Sequence, residues 1–152
     1  MINQIFDLNK DLLEFDIAMC DNQGWLFEDC EYDFACNAFD FINAFMNSYI
    51  AAEMDTPLSF WQICGIKQIG EALMESVKLP PRTGERKNTD ALYWIGYMYR
   101  YWACLGEKSN VIIQHAPVEQ AYMMYPGYHT LAVPEAIRMF LKPKVHSTEI
   151  IG

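Results

Sequence analysis

The residue types best suited to chemistry lie in one short run, Phe27-Glu28-Asp29-Cys30-Glu31-Tyr32-Asp33-Phe34. Four carboxylates framed by aromatic rings suit a surface that docks on a basic cleft of another protein. Opposite potentials speed such an encounter, and the rings supply desolvated anchors. On this reading Glu28, Asp29, Glu31, Asp33 and Tyr32 are the partner-binding residues. The plainer alternative is a solvated acidic face that keeps the protein dispersed. A calcium loop fits poorly. Asp29, Glu31 and Asp33 occupy its first, third and fifth positions, but the sixth is Phe34 where glycine is needed, and the twelfth is Asp40 rather than glutamate.

Other reactive side chains are scattered. Cys20, Cys30, Cys36, Cys64 and Cys104 form no close pair of the kind a structural zinc site uses, so no metal is expected and the thiols read as small buried apolar groups. Their odd number suits a reducing cytoplasm. His115, His129 and His146 are isolated, and a small enzyme could arise only if Cys104 met one of the histidines in space. No phosphate-binding, nucleophile-elbow or zinc-protease motif is present, so no catalytic residue, cofactor or enzymatic activity is expected. Arg100, between Tyr99 and Tyr101 in an apolar stretch, must snorkel, stack or pair with a carboxylate. A structural ion pair is the default.

These residues need elements to hold them, and the periodicity is helical throughout. Apolar positions recur three or four residues apart over 2–20, with Asn22-Gln23-Gly24 as a stop, and again over 33–54 and 59–78. Asp33, Ser59, Thr89 and Ser109 are candidate caps. Residues 79–88, with two prolines, a glycine and three basic side chains, read as a connector between two halves of one domain. Residues 89–105 are apolar around almost the whole circumference, as a central helix must be. Short helices follow at 109–116, from Pro117 through Met124, and from Val133 to Leu141. Tyr125-Pro126-Gly127-Tyr128 reads as a turn. The expected fold is all-α, an irregular single-domain bundle of six or seven helices over 1–141 around the aromatic helix 89–105, with a mobile tail over 142–152.

Composition agrees. Of the 152 residues, 52% are apolar or aromatic and 20% are charged, enough apolar surface for a buried core and too little charge for a disordered chain. No apolar run is long enough for a membrane span, and the opening Met1-Ile2-Asn3-Gln4-Ile5-Phe6-Asp7 has no secretory signature. The net charge is −9, and it is lopsided. Residues 1–55 hold twelve of the 20 acidic residues and a single basic one, Lys10. Direct nucleic-acid binding is therefore not expected.

Residues 93–129 carry a resemblance. The helix Tyr93-Trp94-Ile95-Gly96-Tyr97 is followed by Ser109 to Ile113, by Pro117-Val118 with Tyr122 to Tyr125, and by Tyr128-His129. This order resembles small helical bacterial proteins encoded beside ADP-ribosyltransferase-like toxins, the antitoxins of toxin–antitoxin operons. The likeness covers residues 89–130, about a quarter of the chain, and Asp16-Ile17-Ala18 resembles a further short motif of that family. Thr130-Leu131 departs from the family's acidic and methionine residues, and no helix-turn-helix follows within these residues. The resemblance implies an antitoxin-like protein that neutralises a partner toxin from its own operon by direct binding, without operator binding, with a homodimer compatible. The acidic face alone also suits an inhibitor from a phage or mobile element that mimics nucleic acid, or an adaptor with no toxin partner.

Overall fold

The computed structural model describes residues 6–57 and 59–142. The expected tail lies outside the described residues from 143 onward, as do the first residues of the expected N-terminal helix. Among the described residues the fold is all-α, with α1 Glu14–Phe34, α2 Ala38–Met46, α3 Tyr49–Met54, a 3₁₀ turn Phe60–Ile63, α4 Ile66–Ser76, α5 Thr89–Cys104, α6 Ser109–His115, α7 Val118–Tyr128 and α8 Val133–Leu141. The sole β-type pairing among them is an isolated bridge between Cys36 and Pro81. No described helix is long and apolar enough to cross a membrane.

The aromatic segment is central, as its all-round apolar pattern demands, but it shares that place with α1. The α1–α5 interface is the most extensive among the described elements. Gly24 and Gly96 make it possible. A Cβ on Gly96 would lie 2.4 Å from the Gln23 carbonyl oxygen, and one on Gly24 would lie 2.6 Å from the Tyr93 ring. Gly24 is thus a contact point between helices and not the expected stop, and α1 runs straight through Asn22-Gln23-Gly24 to end at Ala35, which takes a left-handed conformation with φ 54°. Upstream of α1, Phe6 and Leu8 are buried without being helical, and Asp16 accepts the Leu13 N–H at 3.1 Å to hold the helix start.

The expected helix over 33–54 is broken twice, and both breaks have a polar cause. Glu31 Oε2 accepts the Ala38 N–H at 3.2 Å, so a carboxylate from α1 satisfies the start of α2. Ser48 Oγ accepts the Ala51 N–H at 3.2 Å and caps α3. Similarly, the segment 59–78 divides at Cys64-Gly65 into the 3₁₀ turn and α4. Asn88, not Thr89, caps α5, accepting the Asp90 and Ala91 N–H groups at 2.9 and 3.3 Å. Ser109 is the first residue of α6 and not its cap. Asp55 Oδ2, from the end of α3, accepts the Ser109 N–H at 2.7 Å. The expected turn at 125–128 is helical, because Tyr125 packs on Trp94 and Tyr128 on Phe140, and this packing outweighs the proline.

The core is aromatic. Phe27 meets Phe41, Phe45 and Tyr99 edge-on, with ring centroids 6.5, 5.6 and 6.4 Å apart. Tyr99 donates its hydroxyl to the Ala116 carbonyl, so the one polar atom of this buried ring is satisfied.

Candidate functional site

The five residues expected to bind a partner all lie on the C-terminal half of α1, but helical geometry divides them. Asp29, Tyr32 and Asp33 are exposed, and Tyr32 keeps 75% of its surface. Trp25, four residues before Asp29, is also exposed. Positions 25, 29, 32 and 33 therefore share one outward face. Glu31 must be corrected. It is 6% exposed and accepts two backbone N–H groups, from Ala38 and from Lys87 at 3.0 Å. It ties α1 to α2 and to the connector, and no partner can reach it. Residues 29–33 are continuous helix, which cannot wrap a calcium ion as an EF-hand loop does.

Glu28 turns sideways into a groove of about 520 Å³ between α1, α5 and α7. The groove has aromatic walls. Trp25 and Tyr93 lie 6.4 Å apart between centroids, Tyr93 and Tyr97 6.1 Å, and Trp94 and Tyr125 5.7 Å. His129 stacks on Tyr125 at 4.5 Å and completes one rim. Tyr93 donates its hydroxyl to Asp21, which fixes that ring. Two carboxylates, Glu28 and Asp90, open into the same space. Burial raises the Glu28 pKa above its ordinary value, and the neighbouring Asp29 and Asp90 charges raise it further. Burial followed by the Asp33 charge does the same to Asp29. The ion pairs formed among the described residues are Arg100–Asp55 and Arg138–Glu135, so neither Glu28 nor Asp90 is neutralised by one.

Arg100 is where the default expectation put it, in a structural pair. Only 2% exposed, it donates to Asp55 Oδ1 at 2.9 Å, to Gln23 Oε1 at 2.9 Å and to Ser109 Oγ at 3.5 Å. Asp55 in turn accepts the Ser109 hydroxyl at 2.7 Å. The network knots α1, α3, α5 and α6 together.

Cys104 borders a second cavity of about 390 Å³, lined also by Lys10, Asp16, Asp55 and Arg100. A hydrogen bond from the Cys20 thiol, the Arg100 charge and the Lys10 charge draw its pKa down against burial. No histidine is among the groups acting on it. His115 stacks on Trp102 and His129 on Tyr125, so each described histidine is engaged with a ring.

Of the eight residues that line the groove, Glu28 alone was expected as a binding residue; Trp25, Asp90, Tyr93, Trp94, Tyr97, Tyr125 and His129 escaped that reading. A signal did exist. Trp25 and Glu28 stand three apart, as do Asp90 and Tyr93, so each ring shares a helix face with a carboxylate. Compared with known proteins, the chain matches no family model, no curated protein sequence and no solved structure.

Proposed function

We propose that this protein is a non-enzymatic binding protein that neutralises a basic protein partner, in the manner of an antitoxin acting on a toxin encoded beside it. The observation that supports this most is the outward face of α1. It presents Trp25, Asp29, Tyr32 and Asp33 together, next to the groove that holds Glu28 and Asp90. Among the basic side chains of the described residues, Arg86 alone stacks there, 5.7 Å from the centre of the Tyr32 ring. Exposed aromatics among uncompensated carboxylates suit capture of a basic cleft, which the rings desolvate and the charges steer.

The test is genetic and biochemical together. Expressed alone, the product of the adjacent gene is expected to arrest growth. Expressed with this protein, it is expected to be harmless and to co-purify with it. Harmlessness of that product on its own, or toxicity that persists with both proteins present, would refute the proposal.

A further inference from the structure

We propose that the groove between α1, α5 and α7 is a receptor for an arginine side chain of the basic partner. This deepens the binding function proposed above and rests on it. Three features specify the ligand. The rings of Trp25, Tyr93 and Tyr97 follow one another at 6.4 and 6.1 Å between centroids along one wall, which gives a planar cation faces to lie against. Trp94, only 9% exposed, and Tyr125, whose rings pack on each other at 5.7 Å, add apolar surface to the same groove, along which the methylene stem of a long side chain can lie. Glu28 and Asp90 supply two carboxylates in the same space, and no ion pair among the described residues uses either.

Ring faces alone attract any organic cation, including a quaternary ammonium. Carboxylates beside them favour a cation that also donates hydrogen bonds. A guanidinium does both at once, since its plane stacks while its edge donates in a fork that matches carboxylate geometry. An ammonium donates but does not stack as a plane. The volume of about 520 Å³ exceeds what one guanidinium fills, so the stem and flanking backbone of the partner enter with it. The aromatic walls are tied down from behind. Tyr93 is held by Asp21, Gly24 lies directly against the Tyr93 ring, and Trp94 packs on Tyr125. A rigid site loses less freedom on binding.

The experiment uses the whole chain and a short capped peptide, acetyl-Gly-Arg-Gly-amide, with its lysine counterpart and its citrulline counterpart, which keeps the shape and removes the charge. The readout is the Trp25 indole N–H signal in NMR, assigned by its loss in Trp25→Phe. The arginine peptide is expected to shift that signal in a saturable way, the lysine peptide to bind more weakly, and citrulline to leave the signal unmoved. In the double variant Glu28→Gln, Asp90→Asn, with its circular dichroism unchanged, affinity for the arginine peptide is expected to fall about tenfold or more. Citrulline binding as well as arginine, lysine binding as tightly as arginine, or affinity kept within about twofold in the double variant would overturn the assignment. The two proposals fail separately. If the peptide shows no binding while the adjacent gene product is still neutralised, the groove assignment falls and the binding function stands. If the peptide binds as described while that product is not neutralised, the reverse holds.

Discussion

Asp55 shows how much one carboxylate can organise. It balances the buried Arg100 charge and satisfies the start of α6 through the Ser109 N–H and hydroxyl. Removing it strands a guanidinium that is 2% exposed. Asp55→Ala is therefore expected to cost about 3–5 kcal/mol in urea unfolding, and Asp55→Asn less, because the amide oxygen can still accept from Ser109. A loss under about 1 kcal/mol for the alanine variant would show the pair to be dispensable. Glu28 has the opposite relation to stability. Its folded-state pKa is raised above the ordinary 4.5 by burial and by the Asp29 and Asp90 charges. The charged form is thus disfavoured in the folded state at neutral pH, and that penalty fades as pH falls through the raised pKa and is gone below the ordinary value. Glu28→Gln is expected to melt higher than the parent at pH about 7 and to match it at pH about 4. A variant that melts lower at neutral pH would contradict this. A higher melting point for Glu28→Gln at neutral pH would match the pattern expected of a group kept for binding and not for stability.

The helices were legible where the signal is internal to an element. The all-round apolar run predicts α5, Pro117 and Val133-Pro134 mark the starts of α7 and α8, and the proline-rich connector is a connector. The breaks were not legible, because their causes are distant in sequence. Apolar periodicity continues across Phe34–Ala38 and Met46–Tyr49, while α2 begins where Glu31 of α1 reaches Ala38 and α6 begins where Asp55 reaches Ser109. Gly24 misled for a related reason, since a glycine that ends a helix and one that admits a neighbouring helix look alike in sequence. The groove was hidden by the same ambiguity. Tyr93, Tyr97 and Tyr101 share the aromatic pattern of the core, yet this stripe of α5 is half-buried. Two glycines separate these roles experimentally. At Gly96 an added Cβ would meet the Gln23 backbone at 2.4 Å, whereas at Gly127, inside α7, nothing lies within 4 Å. Gly96→Ala is expected to destabilise by about 1–3 kcal/mol, and Gly127→Ala to stabilise by up to about 1 kcal/mol, in the same urea titration. Equal effects would show that the α1–α5 approach does not depend on the missing side chain.

Across the whole molecule, the charge asymmetry seen in the sequence becomes a division of labour. The acidic first 55 residues supply structural acceptors at Glu31 and Asp55, groove lining at Glu28, and exposed charge at Asp29 and Asp33. The cluster that looks uniform in sequence is therefore three kinds of carboxylate, sorted by helix rotation alone. The fold class followed from composition and period. Which carboxylates face outward followed only once the register of α1 against α5 was known, since a turn of one helical position exchanges Glu31 with Tyr32. Two ion pairs among the described residues leave most of this charge uncompensated within the chain. Long-range attraction of that kind acts on encounter rates and is screened over about 8–10 Å at physiological salt.

The association rate of this protein with the adjacent gene product, measured by stopped flow across a salt series, tests the central claim most directly. Parent and Asp29→Lys, Asp33→Lys chains are to be compared, with Glu31 left intact to preserve the fold. The parent rate is expected to fall steeply with salt, and the variant to associate about tenfold or more slowly at low salt with a much flatter salt dependence. Equal rates and equal salt slopes for the two chains would contradict an acidic docking face on α1.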